Sequence, residues 1–159
     1  LFELGYRCVP ESGRSIIQQQ VNSGGSALPW DNRFAFAQLM FNAALEDYFK
    51  LITASDPIFF DRGIPDVLGY LELSALPVPF TITETARNNR YHNAVFITPP
   101  WQEIYENDKE RKQDFAEAVR TYDMMKKVYT DCGYKLVEIP KLPVSDRVCF
   151  ILDHLHSIL

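Results

Sequence analysis

Three consecutive large apolar residues, Ile58, Phe59 and Phe60, stop abruptly at Asp61, Arg62 and Gly63, with Pro65 and Asp66 just beyond. So short and so apolar a run reads as a strand buried on both faces, the pattern of a parallel sheet. Parallel strands need crossover connections, so the chain around them must supply helices. Ligands of open α/β sheets bind at the carboxyl ends of the strands, and this strand releases a carboxylate and a guanidinium there. An acid at that position can hold a hard cation through oxygen. An arginine can grip a phosphate with two parallel hydrogen bonds. The same pair also fits a loop ion pair, or an aspartate capping the next helix.

The remaining chain alternates in the same way. Leu1 to Gly5 reads as the last turn of a helix closed by glycine, and Tyr6 to Val9 as a strand stopped by Pro10. Glu11 follows, so a second acid sits at a second strand end, and Arg14 lies three residues on. On a helix that spacing shares a face, which an internal ion pair would also explain. Ser15 to Val21 is helical, and Asn22 to Leu28, with Gly24 and Gly25, reads as a flexible loop. Trp30 beside it could stack on a flat ring, or anchor the loop. Asp31 is placed to cap a long helix, Asn32 to Ile52, whose stripe of Phe34, Ala37, Phe41, Leu45, Tyr48 and Phe49 points to the core.

Further along, Pro65 to Leu73 and Ile82 to Asn89 are expected helices, and the spacing of Arg87 and Arg90 puts them on one face. Ala94 to Thr98 is a third strand, stopped by Pro99 and Pro100. A helix follows the charged segment at residues 107–110 and runs to about Thr130, with Arg111 and Lys112 at its start and Gly133 closing it. Its stripe is Phe115, Ala118, Val119, Tyr122, Met125 and Tyr129. Lys135 to Ile139 is a fourth strand, and a last helix begins at Ser145 or Asp146. Four short strands alternating with helices make an α/β sandwich with a mostly parallel sheet.

Bulk properties narrow the function. A net charge of −5 and a pI near 5.2 argue against a general nucleic-acid binder, which needs a basic face. They leave room for a small phosphorylated ligand, for which a few local arginines suffice. No apolar run approaches the ~20 residues of a membrane span. Cys8, Cys132 and Cys149 are odd in number and widely spaced, as expected of buried free thiols in a reducing cytoplasm. The length of 159 residues fits a single domain.

Four segments resemble a known family. They are Val9 to Arg14 (VPESGR), Phe59 to Asp66 (FFDRGIPD), Phe96 to Tyr105 (FITPPWQEIY) and Asp108 to Ala118 (DKERKQDFAEA). Together they are similar to small bacterial P-loop ATPases of AAA type, built like nucleoside and nucleotide kinases and related to nicotinamide riboside kinase. The resemblance covers nearly the whole chain. It implies a three-layer α/β/α sandwich of P-loop kinase type that binds ATP and Mg²⁺, with a lid at about residues 100–115. It further implies transfer of the γ-phosphoryl group to a small hydroxyl-bearing acceptor or to water; a non-catalytic nucleotide-binding module is the alternative. By this likeness Asp61 meets the metal or accepts a proton, Glu11 lies near the acceptor hydroxyl, and Arg111 acts from the lid. Arg62, Arg111, Lys112 and Arg14 are the phosphate-binding candidates, and Asp66, Trp30, Arg87, Arg90 and Tyr91 the acceptor-binding ones.

The family's Gly-x-x-x-x-Gly-Lys-Ser/Thr loop has no match in the sequence. In the family that loop follows a central strand, which would run between Ile58–Phe60 and Ala94–Thr98. A strand, loop and partial helix of roughly 20 residues upstream of Leu1 is the corresponding expectation.

Overall fold

The computed structural model describes residues 1–105 and 114–156. They fold as α/β in two compact units, Leu1–Arg90 and Tyr91–Leu159. In the first unit a 3₁₀ turn, Phe2–Leu4, is closed by Gly5 in the left-handed region at φ 87°. Strand β1, Arg7–Val9, then pairs in parallel with β2, Ile58–Phe60, in the register Arg7↔Ile58, Cys8↔Phe59, Val9↔Phe60. Between them lie α1, Ser12–Ser23, and α2, Arg33–Leu51. After them come α3, Ile64–Leu73, and α4, Phe80–Asn88.

Helix α3 is the hub of this unit. Ile64, Pro65, Val67, Leu68, Gly69 and Leu71 are all buried, so the helix hides most of its circumference. Pro65 is tolerated because a first-turn N–H has no partner within the helix anyway. Helix α3 packs against α2, which contributes Phe36 and Ala37, and against α4, which contributes Ile82 and Ala86.

Two boundaries differ from expectation for local reasons. Asn32, not Asp31, caps α2, because its Oδ1 accepts from the Ala35 N–H at 3.0 Å. The segment read as a flexible loop is partly helix and partly tied down. Helix α1 runs on to Ser23 and ends at Gly24, φ 68°. The Gln20 side chain then accepts from the Ala27 N–H at 3.1 Å, and Ala27 and Leu28 are buried. In the α2 stripe Phe36 takes the core place, while Phe34 and Phe49 stay exposed.

In the second unit β3, Ala94–Ile97, pairs in parallel with β4, Lys135–Glu138. Helices α5, Phe115–Asp131, and α6, Val144–His156, flank them. Asp114 caps α5 by accepting from the Glu117 N–H at 2.7 Å. Met125, Tyr129 and Tyr134 form the buried cluster, with Tyr91, Val95, Ile97, Cys132 and Leu136 packed on it. Helix α6 starts one residue before Ser145.

Among the described residues β1 pairs with β2 and β3 with β4, as two separate two-stranded sheets. Among the described residues each strand therefore pairs on one side, and β2 and β3 are half-buried. The cysteines are free, but Cys149 is exposed and the other two are half-buried.

Candidate functional site

The parallel register of β1 and β2 decides what meets at their carboxyl ends. Val9 and Phe60 are paired, and the Asp61 N–H donates to the Val9 carbonyl at 2.8 Å, extending the ladder by one bond. The chain therefore releases Asp61 and, two residues past Val9, Glu11 at one edge of the first unit. Both are exposed. Glu11 is the N-cap residue of α1, with φ −56° and ψ 128°, and makes no side-chain capping bond. Its carboxylate folds back over the first turn of its own helix, next to buried Gly13. The positive end of the helix dipole favours an anion there.

Arg62 follows in the left-handed region at φ 82°, a conformation few non-glycine residues adopt. The turn points its guanidinium forward to α3, where Nη1 donates to Asp66 Oδ1 at 3.2 Å. The other oxygen of Asp66 accepts from the Gly63 N–H at 2.8 Å, so one carboxylate both caps α3 and holds Arg62. Desolvation pulls the Arg62 guanidinium toward its neutral form. The charges of Asp66, Glu11 and Asp61 outweigh it and raise the Arg62 pKa above its ordinary value. The head group thus sits in the field of three acids, although the side chain keeps 46% of its exposure.

The wall beside Glu11 comes from α2 and α3. Phe36 lies against Gly13 and meets Tyr70 edge-to-face, with ring centroids 5.5 Å apart. Burial pushes the Tyr70 phenol up, opposed by the nearby Ser74 hydroxyl and the Arg33 charge. The Tyr70 oxygen is shut off from solvent and makes no well-formed hydrogen bond; Ser74 acts on it at longer range. A cavity of about 340 Å³, lined by Gly5, Tyr6, Arg7, Ala54, Asp56, Pro57 and Ile58, opens at the amino ends of the same strands, away from Glu11 and Asp61.

The other candidates are spread more widely. Arg14 is exposed in the first turn of α1, and Trp30 is 55% exposed in the α1–α2 loop. Arg87 pairs with Glu84 at 3.7 Å. Helix α4 ends at Asn88, so Arg90 lies beyond it and shares no helix face with Arg87. The Arg90 carbonyl accepts from the Tyr48 hydroxyl at 3.2 Å. Tyr91 belongs to the second unit, where its N–H donates to the Tyr134 hydroxyl at 3.2 Å. Arg111 and Lys112 lie outside the described residues. Sequence reasoning passed over Gly13, Phe36 and Tyr70; the small residue two places after a strand-end acid was the available signal.

In open α/β sheets ligands bind outside the carboxyl ends of the strands, and Glu11, Asp61 and Arg62 lie at that end of β1 and β2. A family model described as AAA domain matches residues 1–147, and the chain belongs to that family of P-loop nucleotide-binding NTPases. No curated protein and no solved structure matches it. No described helix is long and apolar enough to cross a membrane.

Family members generally bind ATP with Mg²⁺. Among the described residues no three of His, Cys, Asp and Glu are grouped to hold a metal alone. Mg²⁺ would not need such a group, since it is held by one or two carboxylates together with water and substrate phosphates. Of the two strand-end acids, Asp61 is the one that the family resemblance would assign to such a cation.

Proposed function

We propose that the chain binds ATP and transfers its γ-phosphoryl group, in a Mg²⁺-dependent reaction, to a small hydroxyl-bearing acceptor of nucleoside or riboside type, or to water. The observation that carries this reading is the release of Glu11 and Asp61 from adjacent parallel strands at one edge, with Arg62 in the field of both. Two acids so placed divide the labour. Asp61 faces the cation, directly or through water, and Glu11 takes the proton of the acceptor hydroxyl as its oxygen bonds to phosphorus. The bond from phosphorus to the bridging oxygen breaks, and ADP leaves with that electron pair. Mg²⁺, when bound, neutralises charge on the phosphates.

Arg14, Arg62, Arg111 and Lys112 are the cations assigned to the phosphates, the last two from a lid that closes over the transferring group. Arg62 acts there through a head already bonded to Asp66. Trp30, Asp66, Arg87, Arg90 and Tyr91 are assigned to the acceptor, with the exposed Trp30 ring assigned to stack on it. The three-layer P-loop kinase architecture, the kinship with nicotinamide riboside kinase and a cytoplasmic location are part of the same proposal.

The alternative is a nucleotide-binding regulatory module without turnover. ATP consumption, with and without a panel of nucleosides and vitamin ribosides, separates the two. Acceptor-dependent consumption supports the kinase, and ATP binding with negligible consumption supports the module. Asp61→Asn should abolish turnover with an unchanged circular dichroism spectrum; full activity in that variant refutes the assignment of Asp61.

A further inference from the structure

Glu11 has a conformation that its own position does not explain. It occupies the N-cap place of α1, yet its side chain makes no capping hydrogen bond. It turns instead to the space beside Gly13. A Cβ on Gly13 would lie 3.0 Å from Glu11 Oε1, 3.9 Å from its Cδ and 3.8 Å from Phe36 Cζ. The first distance is shorter than an ordinary carbon–oxygen contact, and the third is an ordinary carbon–carbon one. A side chain at position 13 thus meets the carboxylate first and leaves the ring of α2 in place.

The backbone gives no other reason for glycine here. Gly13 is not among the glycines with positive φ, so alanine fits its conformation, and within a helix alanine is the better former. Gly13 is nevertheless buried. A glycine that costs helix stability, needs no special φ and borders a carboxylate at the strand-end rim has one evident use there. We propose that Gly13 is a positioning residue: the space left by its missing side chain is the seat of the Glu11 carboxylate, and it sets where that acid meets the acceptor. Phe36 forms the back of the seat, and Tyr70 supports Phe36 edge-to-face.

The inference rests on the proposed role of Glu11, and the test separates the two. Gly13→Ala, Glu11→Gln and the parent chain are compared for thermal midpoint, for kcat and KM toward ATP, and for the ¹³C resonance of the Glu11 side-chain carboxyl, with that of Asp61 as internal control. A carboxylate displaced by a few tenths of an ångström is out of line with the acceptor, and a shift of about 1 Å can cost on the order of a hundredfold. In Gly13→Ala kcat should fall about tenfold, by interpolation on that scale. KM for ATP should stay put, the midpoint should hold or rise, and the Glu11 resonance should move while that of Asp61 does not.

An unmoved Glu11 resonance overturns the proposal whatever the turnover. A midpoint that falls also overturns it, because the space would then serve the fold. Loss of turnover in Glu11→Gln with parental kcat in Gly13→Ala overturns the seat and leaves the ATP reading standing. Full turnover in Glu11→Gln removes Glu11 from the chemistry, and with it the catalytic purpose of the seat.

Discussion

Arg62 offers a way to measure what the rim costs the fold. Its backbone sits at φ 82°, where an L-residue with a Cβ is disfavoured by about 1–2 kcal/mol. Glycine removes that penalty but gives the unfolded chain more freedom, worth about 0.5–1 kcal/mol. Replacing Arg62 by alanine loses the Asp66 contact and keeps the strain; replacing it by glycine loses the contact and relieves the strain. Since both lose the same 3.2 Å pair, the pair drops out of the comparison. The difference left is roughly 0.5–1 kcal/mol in favour of Arg62→Gly. At this chain length that is about 1–4 °C in the unfolding midpoint. Urea unfolding of both variants, followed by circular dichroism at constant pH and salt, reads the difference directly. Equal midpoints, or Arg62→Ala the more stable, would refute the claim that the left-handed turn stores strain. If the strain serves the site, Arg62→Gly should also lose turnover despite gaining on alanine in stability.

Two further expectations concern the units separately. Leu71 is fully buried in α3, so Leu71→Ala should cost about 2–5 kcal/mol by urea titration, the range for a cavity that neighbours only partly refill. In the second unit the Tyr122 hydroxyl donates to Glu138 Oε2. Burial, that hydrogen bond and the charges of Glu138 and Asp123 push its phenol up to about 12. The unfolded phenol titrates near 10. The folded state holds the proton more tightly, so this contribution is complete below about pH 10 and is lost as pH rises toward 12. Tyr122→Phe should remove that part of the alkaline slope, and an unchanged slope between those pH values would count against it.

The strand ends were legible because they combine two signals: a short apolar run and an immediate charge. Ile58–Phe60 and the acids after it need no tertiary information to be placed. Helix faces were less legible where aromatics crowd together. Phe34 and Phe36 differ by two positions, or about 200° of helix; periodicity favours Phe34 for the core, and the structure buries Phe36 instead. The packing of α2 on α3 decides it for Phe36. The segment after Val21 misled through composition. Its glycines and serines look unstructured, yet Gln20, seven residues before Ala27, holds the loop by a side-chain bond that no local pattern announces. Arg62 carries no sign in the sequence of its left-handed backbone, since glycine, the usual mark of that region, stands one place later.

That last point bears on the chemistry. From sequence, the arginine beside Asp61 fits either a phosphate grip or a loop ion pair. In the folded unit its Nη1 is bonded to Asp66, its charge is shared among three acids, and the turn that presents it is strained. An incoming phosphate would have to share the guanidinium with Asp66, whose second oxygen is occupied by the cap of α3. Asp66→Asn keeps an oxygen for the Gly63 N–H but gives up the charge that binds Arg62. If Arg62 serves the phosphate, this substitution frees it and ATP should bind more tightly. If Arg62 serves the acids, the same substitution leaves ATP affinity unchanged or weaker. Both Asp66 oxygens are engaged, so this substitution decides whether Arg62 reaches the phosphate, as proposed, or stays with the acids of the rim.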